Sequence, residues 1–147
     1  MSERARPELR AAYRHFAPIT TRWMDNDAYG HVNNVVYYSW FDTIVNEYLI
    51  RASALDIARS EVIGLVVETQ CHYFRELAFP EPVTAGLRVA RIGTSSVRYE
   101  IGIFAGDDAA EPARAQGHFV HVYVGRDTRR PAALPAPLRD ALQRIHA

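Results

Sequence analysis

From Asn34 to Ala54 the chain runs for about five helical turns without a proline or glycine, which predicts one long helix. Apolar residues recur at helical spacing along Val35, Tyr38, Phe41, Val45, Leu49 and Ala52, and a second stripe follows Tyr37, Trp40, Ile44 and Tyr48. Ser39, Asp42, Thr43 and Asn46 leave only a narrow polar band. A helix apolar over most of its circumference must be wrapped by other structure rather than laid on a surface.

The flanking sequence supplies the wrapping. Residues from about 13 to 23 are rich in Phe, Ile, Thr and Trp and predict a first strand. After the helix, alternating segments predict strands at about 62–75, 81–92, 97–104 and 114–125, with Gly93-Thr-Ser and Gly106-Asp-Asp as turns. In the first of these, Val67, Thr69, Cys71 and Tyr73 are expected on one face and Glu68, Gln70, His72 and Phe74 on the other. A short helix at Leu138–His146, after Pro135 and Pro137, is expected within the terminal segment 135–147. This order predicts an α+β fold, an antiparallel five- to six-stranded sheet wrapped around one long central helix. Residues 1–147 read as a single domain with a polar arm over 1–12. Its sheet edges need cover, so a homodimer or homotetramer is expected.

Lys+Arg and Asp+Glu both number 17, leaving no net field to hold a nucleic-acid backbone or an anionic membrane, and neither is an expected partner. All the basic residues are arginines, which removes Schiff-base chemistry and a P-loop lysine. Cys71 is the single cysteine and has no internal disulfide partner. The first ten residues lack the apolar stretch of a signal peptide, and no run approaches the roughly 18 apolar residues of a membrane span. The expected location is the cytoplasm.

Chemistry concentrates between Arg22 and Asn34. Asp, Asn and Gly there predict a loop leading into the helix. The carboxylate of Asp27 is followed closely by Gly30 and then by the helix start. Unpaired N–H groups and partial positive charge at a helix N-terminus would stabilise the oxyanion formed when a carbonyl is attacked. Asp27 could act as nucleophile or as general base on water; the competing reading is a helix cap. His31 could orient that carboxylate or the water, or could donate to a loop carbonyl. Asn33 and Asn34 suit a helix start, and Asp25 could pair with Arg22 or brace the turn. Asp42 and Glu47 are possible secondary acids. His118 and His121 point to opposite faces of a strand and cannot share a metal; Cys71 and His72 are separated in the same way. No metal or redox cofactor is expected.

Arg22, Asp25, Asp27, Gly30, His31, Val32 and Tyr37 resemble the motif of the 4-hydroxybenzoyl-CoA thioesterase-like branch of the hot-dog superfamily. That motif reads Arg/Tyr-x-x-Asp-x-Asp-x-x-Gly-His/Val-Val-x-x-x-x-Tyr, and Asn33-Asn34 stand here as in fatty-acyl members. The resemblance implies a hot-dog fold and hydrolysis of an acyl-CoA to free acid and CoA. It implies a catalytic carboxylate at Asp27 and a polarising backbone N–H at Asn34. His31 matches the histidine of plant-type acyl-carrier-protein thioesterases, Asp-x-Asn-x-His-Val-Asn-Asn, whose first Asn, before the His, is replaced by Tyr29 here. Gly30, Val32, Asn33 and Tyr37 are the implied substrate-binding positions. The pocket is expected between subunits, with CoA phosphates meeting arginines among Arg75, Arg88, Arg91 and Arg98. A medium or long fatty acyl group is favoured, with aromatic acyl as the alternative. Enoyl-CoA hydratases of this fold carry Asp-x-Asn/Ser-x-x-His, whereas Asp25 and Asp27 stand six and four residues before His31. A non-catalytic acyl-CoA-binding module, the third reading, would have no use for Asp27.

Overall fold

The computed structural model describes residues 4–147. Its strands are β1 (His15–Ile19), β2 (Val62–Tyr73), β3 (Val83–Ile92), β4 (Ser96–Ala105) and β5 (Ala115–Gly125); its α-helices are α1 (Val36–Arg51) and α2 (Ala136–Arg144). The strands form one antiparallel sheet in the order β1-β3-β4-β5-β2, with α1 against one face. This is the expected α+β hot-dog architecture, with five strands among the described residues.

The contact is apolar and dense. Phe41, Ile44, Val45 and Leu49 of α1 are almost wholly buried, as are the inward residues Leu87, Val89, Tyr99, Ile101 and Ile103. Each such aliphatic or Phe side chain stabilises the fold by roughly 1.5–3 kcal/mol. Gly117 permits the close approach, because a Cβ there would meet the Gln70 carbonyl and the Phe41 ring. The wrapping is less complete than the sequence predicts. Ser39, Asp42, Thr43 and Ile50 face out, and Val35 is 61% exposed because the helix starts only after it. Asn33 sets that start: its side-chain oxygen accepts the Val35 N–H and its carbonyl the Val36 N–H.

Two strands differ from expectation. β1 is short, since Tyr13 belongs to a separate small core with Phe104 and Ala113, and residues 20–22 leave the sheet for a 3-10 turn at Trp23–Asp25. In β2 the expected alternation holds from Glu68 to Tyr73 and breaks at Val67, where a bulge slips the register. β2 is also an edge strand, with Leu65, Val66 and Val67 exposed.

Residues 4–12 of the polar arm lie over the outer face of the sheet; the arm's first three residues fall outside the described ones. Gln116 donates to the Arg6 carbonyl at 2.8 Å and accepts the Glu8 N–H at 3.0 Å. α2 begins two residues earlier than expected, with Pro137 in its first turn. The Tyr48 hydroxyl of α1 donates to its Ala141 carbonyl. No helix among the described residues is long and apolar enough to cross a membrane.

Candidate active site

The stretch after Arg22 is a small hairpin rather than a simple lead into the helix. Asn26 pairs with Val32, the Asp27 N–H donates to the His31 carbonyl at 2.9 Å, and the Gly30 N–H donates to the Asp27 carbonyl at 3.1 Å. Gly30 closes the turn at φ 85°, a conformation that glycine adopts without steric cost.

This turn aims Asp27. One carboxylate oxygen, Oδ1, accepts the Tyr29 N–H at 2.8 Å. The other, Oδ2, has no hydrogen-bond donor among the described residues and lies 3.7 Å from His31 Nδ1. Asp27 does not cap α1, which begins nine residues later. The capping carboxylate is Asp25, 1% exposed and bound by Arg22 at the 3-10 turn, so both structural roles expected of it are filled.

Asp27, His31, Val32, Asn34 and Tyr37 meet Tyr73, Phe74, Arg75 and Glu76, from the end of β2 and just beyond, around a cleft of about 270 Å³. Asn34 presents a backbone N–H that donates to no group among the described residues, while its carbonyl accepts the Tyr73 hydroxyl at 2.8 Å. Tyr37 is buried edge-on against Tyr73, and burial pushes its phenol up to about 12. Val32 is buried with its N–H on the Leu77 carbonyl. Gly30 and Asn33 shape the loop outside the cleft wall, Asn33 through bonds to Asp25, Val35 and Val36.

His31 stands between both of its expected roles. Its Nδ1 is 3.5 Å from the Val32 carbonyl and 3.7 Å from Asp27, and its Nε2 is 4.0 Å from Glu76. Each contact is long for a hydrogen bond, which leaves the ring able to turn toward a bound group or a water.

Of the four arginines considered for phosphate binding, Arg75 borders the cleft. Arg88 and Arg98 project from the opposite face of the sheet and pair with Glu100, and Arg91 is exposed on β3. Glu47 bonds His15 and Arg51, and Asp42 bonds Asn46; neither lines the cleft. His118 faces outward to Glu68 while His121 is buried inside, on opposite faces as expected. The Cys71 thiol is pushed up to about 11 by burial, which suits packing rather than nucleophilic attack. No group of three or more His, Cys, Asp or Glu among the described residues could hold a metal. Glu76 is the wall residue that sequence reading missed. The one local hint is the apolar Leu77 after charged Arg75-Glu76, a return to the interior that brings Glu76 beside the hairpin.

A family model for the thioesterase-like superfamily matches residues 21–142. The PA5185 protein of Pseudomonas aeruginosa strain PAO1 is 54% identical, with 97% of this chain and 98% of that one covered at a TM-score of 0.92. The PA2801 protein of P. aeruginosa, a candidate thioesterase, is 27% identical over 88% of this chain and 98% of its own, with a TM-score of 0.80. Slr0204 of Synechocystis, a 1,4-dihydroxy-2-naphthoyl-CoA thioesterase, shares the fold alone: 16% identity, 87% and 94% coverage, TM-score 0.77. YsmA of Bacillus subtilis is 22% identical over 90 residues, 61% of this chain, and the match spans only 60% of that relative.

Proposed function

Because the chain belongs to the thioesterase-like superfamily, we propose that it hydrolyses an acyl-CoA thioester to free acid and CoA, with Asp27 as the reacting carboxylate. One observation carries this reading: Asp27, whose Oδ2 accepts no hydrogen bond among the described residues, and Asn34, whose N–H donates none among them, line the same cleft. The N–H polarises the thioester carbonyl and holds the oxyanion as it forms. Asp27 either takes a proton from the attacking water or attacks directly, giving an anhydride that water then opens; CoA leaves as the thiol in both routes. His31 orients the carboxylate or the water.

Tyr37, Tyr73 and Phe74 offer an apolar wall to the acyl group, and Arg75 a cation at the mouth for a CoA phosphate. A medium or long fatty acyl chain is the favoured substrate, with aromatic acyl as the alternative. The exposed β2 edge supports a homodimer or homotetramer in which a second subunit completes the pocket. The hydratase reading lacks a suitably spaced Asp/His pair, and a pure binding module gains nothing from a free carboxylate beside an oxyanion site.

The test is thiol release from short, long and aromatic CoA thioesters, scored by kcat/KM. Asp27→Asn and Asp27→Ala should lower kcat by about a hundredfold or more in a folded protein. Undiminished hydrolysis by folded Asp27→Ala would remove the mechanism. Loss of enoyl absorbance without thiol release would favour the hydratase.

A further inference from the structure

Tyr73 ends β2, and its hydroxyl bond to the Asn34 carbonyl joins two walls of the cleft that lie 39 residues apart in sequence. Asn34 is otherwise held only through its neighbours. Asn33 binds the Val35 and Val36 N–H groups, and among the described residues no other side chain bonds to Asn34. A residue has two soft backbone dihedrals, so anchoring its carbonyl while the preceding loop is fixed restricts the direction of its N–H as well.

We propose that Tyr73 is a positioning residue, whose hydroxyl clamps the Asn34 carbonyl so that the Asn34 N–H stays aimed at the site where the thioester oxyanion forms. The proposal rests on the hydrolase reading above. Oxyanion donors act through preorganisation, and small displacements of a reacting group cost rate steeply, up to about a hundredfold for 1 Å. Losing one tether of the donor, rather than the donor itself, should therefore cost about tenfold in kcat. Desolvation, together with the Cys71 thiol, raises the Tyr73 phenol above its ordinary value, so the hydroxyl remains a donor through the neutral pH range.

Tyr73→Phe isolates the clamp, because it keeps the ring edge against Tyr37 and removes only the hydroxyl. The measurements are kcat and KM for thiol release, and amide exchange at Val35 and Val36, in wild type and in Tyr73→Phe of unchanged circular dichroism. The expected result is a kcat about tenfold lower at a KM within twofold, with exchange at both amides about tenfold faster. A kcat within twofold of wild type, or unchanged exchange, overturns the clamp. If wild type releases no thiol from any thioester, the hydrolase reading fails by itself, and positioning for that reaction fails with it; the exchange rates then report only whether the hydroxyl orders the loop.

Discussion

Arg22 gives Asp25 three hydrogen bonds, its backbone N–H to Oδ2 at 2.8 Å and its guanidinium Nε and Nη2 to Oδ1 at 3.0 and 2.9 Å. Two residues on, Asp27 receives a single bond among the described residues, and its other oxygen has no donor among them. The first carboxylate is committed to the loop and the second is available for chemistry, a division that stability measurements can separate. Asp25→Ala should cost about 1.5–3 kcal/mol, since a buried charged acceptor is lost; the exposure of Arg22 screens the Coulomb part and favours the lower end. Asp27→Ala should cost under about 1 kcal/mol. Equal losses in urea unfolding would contradict the division.

His121 faces inward from β5, its Nε2 without a partner among the described residues and its ring 5.0 Å from Tyr99 and 5.6 Å from Phe119. Burial lowers its pKa to about 4, with Asp42 pulling weakly upward. An unfolded histidine titrates near about 6.5, so between those values the unfolded chain binds a proton that the folded chain refuses. The associated stability is fully present above pH about 6.5 and is lost as pH falls toward about 4, a change of about 3 kcal/mol. Urea unfolding at pH 7, 5.5 and 4.5 should show this slope, and His121→Phe should flatten it. Parallel slopes in the two proteins would mean that the ring is not held neutral.

The helix and the strand order were legible because their signals are local: an unbroken stretch with doubled apolar stripes, then alternation between turns. The bulge at Val67 was not, because Leu65-Val66-Val67 is apolar on either face and parity carries no information there. The hairpin at Asp27–His31 has a local signal, since Asp-Ala-Tyr-Gly carries turn residues at suitable offsets, but the helix start just beyond it masks that signal. The site itself was half legible. Its hairpin side lies in one motif, whereas Tyr73–Glu76 arrive from the end of a strand through long-range pairing with the segment at Arg114. Arg88 and Arg98 show what parity would have added: buried Val89, Val97 and Tyr99 alternate with them, so they had to face the far side.

Gly30 allows the turn to be tested without a clash. A Cβ at this position would meet nothing within 4 Å, so alanine would pay only the left-handed backbone cost of about 1–2 kcal/mol. Gly30→Ala is expected to lose about that much stability and to lower kcat more than it changes KM, because the strain falls on the turn that aims Asp27. Gly30→Asn should lose less, since asparagine tolerates this conformation better. Thermal unfolding with steady-state kinetics on both variants checks the order; an Ala variant as stable as wild type would contradict it.

The uncovered surface of one chain points to the last test. β2 leaves a sheet edge open with Leu65, Val66 and Val67 exposed, and the hairpin region exposes Trp23 (77%), Met24 (74%) and Tyr29 (86%). Long apolar edges are protected in stable proteins, and pairing β2 with its counterpart in a second copy would meet that need. Sedimentation should therefore give a dimer or tetramer. Val67→Glu, which places a charge on that edge, should shift the protein toward monomer and reduce thiol release in proportion to the subunits lost. A wild-type monomer at micromolar concentration with full activity would show that one chain completes its own cleft.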